Sequence, residues 1–266
     1  MIGDVAGYAG SLHHSTSVIT VVLLCTLPWW LAPFVIRRMV KTPIDVVCEY
    51  CDGSGIALPN DLIGYFAEVE AGLVAVGFRP RPPFRMRSQS RRTDIFIQLY
   101  DRPETGDIAS VAGVVTEMAT MTTVLRRTEF RTTFADGTQQ WTSNFEMRDP
   151  YGSMPGVTTT RLPRLQEPPD LYRAHRRLVA ERRETKVVAF DLGDPIKYQV
   201  EFERKERDFK LSGGYSYEDR AARVIRPTWR GALALHVTTA PGFKQFNTWR
   251  IEREQAATLR RIGVAI

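Results

Sequence analysis

Twenty consecutive uncharged residues, Ser17 to Ile36, are followed at once by Arg37, Arg38 and Lys41. A helix of that length crosses a hydrocarbon core of about 30 Å, so the run predicts a membrane anchor joined to a water-facing body. Pro28 and Pro33 bend such a helix, which a membrane tolerates better than water does. Trp29 and Trp30 lie toward its basic end, where amphipathic rings anchor at the interface. The run is apolar around its whole circumference rather than along one stripe, which argues for a span over a buried core helix.

Charge sets the expected orientation. No Lys or Arg precedes the run, only Asp4 and the pair His13–His14, whereas three cations follow within five residues. This bias predicts an outside N-terminus and a cytoplasmic body from Arg37 onward. The positive leader and small-residue cleavage site of a secretory signal are not in evidence, so an anchor is expected rather than an export signal.

Beyond the anchor, the length suits one large domain or two small ones. The net charge is +6, and arginine outnumbers lysine thirty to six. A basic body tethered to a bilayer is drawn to anionic headgroups, while charge spread along the chain disfavours nucleic acid. Three cysteines make no disulfide framework.

After Pro59, with Asn60 or Asp61 as cap, Leu62, Phe66, Val69, Leu73 and Val76 recur at helical spacing and Gly77 terminates. Arg79 to Arg92 holds six arginines, three prolines and no acid, and reads as an irregular connector. The period then changes to two. Asp94–Tyr100, Ile108–Thr116, Val124–Phe134 and Gln139–Phe145 read as strands, the last two flanking an Asp136-Gly137 hairpin, and Val157–Arg161 extends the sheet. Pro168, Pro169 and Asp170 open a helix with Leu171, Ala174 and Leu178 on one face. Asp194-Pro195 starts another, with Asp as cap. A last helix runs from Trp249 to Ile262. Between these, Thr228–Phe243 is too short and too polar to span a bilayer; burial is favoured over an interfacial position.

Cys48-Glu-Tyr-Cys51-Asp-Gly-Ser-Gly55 fits C-x-x-C-x-G-x-G, half of a tetrahedral zinc knuckle. His175 and His236 are the same-side histidines that could complete it within one chain; a homodimer could instead share four thiolates. Cys25 falls inside the span, and His13 and His14 across it. A redox dithiol and a plain juxtamembrane turn are the other two readings, and the turn is favoured. The arginines of the connector, Arg79, Arg81, Arg85, Arg87, Arg91 and Arg92, are the candidate clamp for anionic lipid. His175 sits on an arginine-rich helix and is weighed as a packing residue before a general base. No hydrolase elbow, phosphate loop, dinucleotide fingerprint, HExxH or EF-hand pattern occurs.

Phe130-Arg-Thr132-Thr-Phe134-Ala-Asp136-Gly137, Trp141-Thr142-Ser143-Asn144, Arg161-Leu162-Pro163, Leu171-Tyr172 with His175, and Thr228-Trp229-Arg230-Gly231-Ala232 together carry a likeness. Over residues 60 to 263 the chain resembles a group of uncharacterised bacterial membrane-anchored proteins with no established activity. The resemblance implies a bacterial inner-membrane address and transfers no catalytic residue.

The expectation is an α+β chain: anchor 1–41 with its span at 17–36, a Cys/Gly turn 42–58, an α+β domain 59–190 with an antiparallel meander of four to five strands under helices, and a mainly helical subdomain 191–266. Its expected role is a single-pass, non-enzymatic binding or scaffold protein. The expected partners are the bilayer, anionic headgroups or a membrane-associated protein. The alternative is a metal- or thiol-dependent activity at Cys48 and Cys51. No cofactor is expected, zinc being the one that the pair would take.

Overall fold

The computed structural model describes residue 29 and residues 31–51, 56–87, 93–117, 122–182, 186–190 and 192–264. Trp29 and residues 31–39 are helical. Then follow β1 (Thr42–Pro43), β2 (Cys48–Tyr50), helix α1 (Asn60–Ala75), β3 (Arg79–Pro80), β4 (Phe84–Arg87), β5 (Thr93–Arg102), β6 (Asp107–Glu117), β7 (Thr122–Thr133), β8 (Gln139–Ser143) and β9 (Val157–Arg161). The chain continues with α2 (Pro168–Ala180), α3 (Pro195–Ser212), β10 (Ser216–Asp219), β11 (Val224–Pro227), α4 (Trp229–Thr239) and α5 (Pro241–Arg261).

An eight-stranded sheet in the order β2-β4-β5-β6-β7-β8-β9, with β3 also on β5, organises the molecule. It is larger than the expected four or five strands, for two reasons. The arginine-rich connector contributes β3 and β4, which pair with the two ends of β5 as one strand broken at Arg81–Pro83. Proline cannot donate to a ladder, so Pro82 and Pro83 split the strand rather than abolish it. The cysteine segment supplies β2, paired with β4. The sheet is antiparallel except at β8–β9, where Gln139 faces Val157 and the strands run parallel. A second sheet joins β1, β11 and β10.

Both faces of the large sheet are covered. Phe96, Tyr100, Ala109, Val111 and Phe130 point to one face and pack under Leu62, Phe66, Val69 and Leu73 of α1 and Leu171, Ala174 and Leu178 of α2. Successive strand side chains alternate between faces. Ile97, Leu99 and Ile108 therefore point the other way, into a second core closed by Leu192, Ile196 and Tyr198 around the start of α3. Leu259 and Ile262 at the end of α5 reach the first core, so residues beyond 191 contribute to both.

Local signals explain the element ends. Asp194 caps α3 by accepting from the amides of Ile196 and Lys197, as its sequence predicts. Gly137 turns the β7–β8 connection at φ +80°, and Asp136 braces it by accepting from Thr138. The α1 cap differs from expectation: Pro59, not Asn60 or Asp61, holds the cap position, its carbonyl accepting from Leu62.

Most of the expected span, residues 17–28 and 30, lies outside the described residues. Among the described residues no helix is long and apolar enough to cross a membrane. The last helix is longer than expected, starting at Pro241 rather than Trp249. Thr228–Phe243 departs from expectation as well. It forms α4 and the start of α5, and among its described residues Gly231, Ala232 and Ala240 are buried.

Candidate functional site

The arginines that the sequence singled out are engaged with carboxylates of the same sheet. Arg79 pairs with Glu104 at 3.3 Å and Arg81 with buried Asp101 at 2.6 Å. Arg85 and Arg87 share Glu49, on neighbouring β2, at 2.9 and 3.0 Å. The strand geometry hands each guanidinium an acid from an adjacent strand or turn, so the four do not converge on one outside ligand. Arg91 and Arg92 lie outside the described residues.

The two cysteines separate for a similar reason. Cys48 packs in the second core and Cys51 in the first, because side chains three apart in extended backbone point to opposite faces. Burial, with Glu203 nearby, pushes the Cys48 thiol up to about 11, the reverse of what a nucleophilic thiolate needs. Among the described residues no three His, Cys, Asp or Glu side chains are grouped to hold a metal ion.

His175 is fully buried between α2 and the sheet. Its Nε2 lies 2.8 Å from Thr132 Oγ1 and its Nδ1 2.9 Å from Thr142 Oγ1. Thr132 in turn donates to Asp107, as do Tyr172 and Thr105, both at 2.7 Å, while Arg176 donates to both carboxylate oxygens. Burial alone would raise the Asp107 carboxyl, but His175, Thr132 and Arg176 hold it well below the usual carboxylate range. A general base needs a substrate proton within reach, and both nitrogens here are spent on buried hydroxyls. The cluster ties α2 to β6, β7 and β8.

On the opposite face Glu129 is buried between Arg127 and Arg131. The Arg131 guanidinium stacks 3.9 Å above the Phe202 ring and 4.7 Å from the Trp141 ring. Burial would raise the Glu129 carboxyl; the two arginines bring it down to about 2. This sandwich fastens α3 to the sheet.

The exposed chemistry lies elsewhere. On α4, Trp229, Leu233 and Val237 are four residues apart, share one helix face and are exposed. On α5, Phe243, Phe246 and Trp249 follow at three-residue steps and are also exposed, Phe246 by 56%. Helical residues Leu31, Phe34 and Val35 add to them. Aromatic contacts knit the three segments together: Phe34 meets Trp229 edge-on at 4.5 Å, and Trp29 reaches His236 at 5.6 Å and Phe243 at 6.5 Å. Arg37 stacks 4.8 Å over Trp229, and Arg230, Lys244 and Arg250 stand on the same two helices.

Local chemistry fixes this platform to the body. Thr228 caps α4 by accepting from Gly231 and donates at 2.7 Å to the Gly214 carbonyl. Gly231 lies so close to Tyr215 that an added Cβ would stand 2.0 Å from its carbonyl oxygen. Sequence reasoning took Thr228–Phe243 as buried. The signal that identifies the platform is the paired spacing of Trp229, Leu233 and Val237 with Phe243, Phe246 and Trp249, visible only if both stretches are helical.

Beside the platform opens a cleft of about 230 Å³ between α5, the start of β7 and the segment after β8, lined by Arg126, Arg148, Lys244, Asn247, Gln166 and Glu146 among others.

No known protein family, curated protein or solved structure matches this chain.

Proposed function

We propose that this chain is a membrane-tethered, non-enzymatic binding protein, with its body on the cytoplasmic side and its α4–α5 hairpin seated at the bilayer surface. One observation carries the reading. The exposed apolar side chains of α4 and α5 are packed onto Trp29 and Phe34, which belong to the uncharged run Ser17–Ile36. A segment with the length and composition of a span thus emerges directly beside an exposed aromatic surface. Trp and Phe suit the zone where acyl chains meet headgroups, and adjacent cations suit anionic lipid. The bacterial address implied by the resemblance is consistent with this role.

Ion-paired as they are, Arg79, Arg81, Arg85 and Arg87 support a lipid clamp less well than the hairpin does. The metal or thiol alternative is not favoured, since Cys48 and Cys51 enter different cores.

Bilayer depth is the test. The full chain is reconstituted in vesicles whose acyl chains carry bromine, a quencher of indole emission. The emission of Trp249, taken as the difference between the parent chain and Trp249→Phe, is expected to be strongly quenched. Emission insensitive to bromine would place α5 in water and overturn the reading.

A further inference from the structure

We infer that the cleft beside α5 is a binding site for a phosphorylated polyol, presented to it by a lipid headgroup. The inference rests on the membrane-surface reading above and names the ligand class of that surface.

Three cations, Arg126, Arg148 and Lys244, line the cleft against the single carboxylate of Glu146. Arg126 and Arg148 are held in place by contacts with other segments. Arg126 is braced by donating to the Asp61 carbonyl at 3.0 Å and by stacking on Tyr65. One end of the Arg148 guanidinium pairs with Glu254, while its Nε is buried without a hydrogen-bond partner. The Lys244 ammonium and the Asn247 carboxamide have no hydrogen-bond or ion-pair partner among the described residues. Cationic donors grouped in this way recognise phosphate oxygens.

Glu146 selects among phosphates. A carboxylate repels a bare anion but accepts from hydroxyl groups. With the carboxamides of Asn247 and Gln166 it would read the hydroxyls of a polyol carried on the phosphate. The cleft, about 230 Å³, has room for a headgroup.

The helix itself points to a lipid as the source. Phe243, Phe246 and Trp249 occupy one face of α5, and Lys244, Asn247 and Thr248 occupy the adjoining face that lines the cleft. At about 100° per residue, an apolar face bedded roughly 5–10 Å into the interface would hold Lys244 at headgroup depth.

The test uses the full chain in mild detergent micelles, observed by native mass spectrometry with three probes: phosphatidylglycerol, phosphatidylcholine and soluble glycerol phosphate. Retention of phosphatidylglycerol is expected to exceed that of phosphatidylcholine by about tenfold, and to fall about tenfold in the surface variant Lys244→Gln/Asn247→Ala. Equal retention of the two lipids, or an unchanged variant, overturns the proposal. Capture of soluble glycerol phosphate without lipid preference would keep the phosphate chemistry and overturn the lipid source. The two readings fail separately. Trp249 unquenched in brominated vesicles with glycerol phosphate still bound removes the bilayer surface alone; quenched Trp249 with no phosphate binding removes the cleft alone.

Discussion

Phe34 meets Trp229 edge-on with ring centres 4.5 Å apart, joining the end of the apolar N-terminal run to the first residue of α4. The contact links the predicted anchor to a hairpin that the sequence places almost at the other end of the chain. It makes the two one surface.

That contact should be measurable as a coupling. Double-mutant cycles with Phe34→Ala and Trp229→Ala, read by chemical denaturation in micelles, are expected to give about 0.5–1.5 kcal/mol beyond the separate effects. A coupling near zero would mean that the rings adjoin without holding the segments together.

Glu129 predicts acid sensitivity. Its folded carboxyl stands at about 2, held there by Arg127 and Arg131 against burial, whereas an unfolded glutamate titrates near 4.3. A depressed folded value contributes stability that is complete above the unfolded value and lost as pH falls toward the folded one. The parent chain should therefore lose stability between about pH 4.5 and 2, and Glu129→Gln should lack that part of the slope. At pH 7 the same substitution removes the carboxylate hydrogen-bonded to buried Arg131 and should cost about 3–5 kcal/mol. Parallel acid limbs for the two chains would refute the assignment.

Asp107 should outweigh an exposed carboxylate. It accepts from Thr105, Thr132, Tyr172 and Arg176, so Asp107→Asn should cost about 3 kcal/mol by leaving buried donors mismatched. Asp170, exposed and paired with Arg173 one helical turn on, should cost less than about 1 kcal/mol when replaced by asparagine. Thermal melts of both variants decide the ranking.

Cys48 should be a slow nucleophile. A thiol moved from 9.0 to about 11 has about a hundredfold less thiolate near neutral pH. Alkylation at pH 8, followed by mass spectrometry, is expected to modify Cys48 far more slowly in the folded chain than in denaturant. Equal rates would show that the folded thiol is no less available than in the unfolded chain and overturn the effect of burial.

Strand and helix positions were readable wherever one physical signal dominated. The alternation of Asp94–Tyr100, the Asp136-Gly137 turn and the Asp194-Pro195 cap each specify their backbone within a few residues. The connector was misread because prolines and arginines look irregular in sequence, yet β5 offers partners on both sides of the break. The CxxC spacing suggested convergence, which requires a turn that brings the thiols together; instead Cys48, on β2, and Cys51, just after it, enter different cores.

What the chain determined by itself is what depends on near neighbours: an apolar run with a basic flank, the helical and strand periods, the caps and the turns. Only the tertiary structure decided which polar groups would be buried and which apolar ones left out. Asp101 and Glu49 neutralise arginines from other strands, His175 is enclosed by Thr132 and Thr142, and the faces of α4 and α5 stay uncovered beside Trp29 and Phe34. Those outcomes depend on which segments meet across long stretches of chain, and a side chain's pairing, exposure and charge are properties of that meeting rather than of its own sequence window.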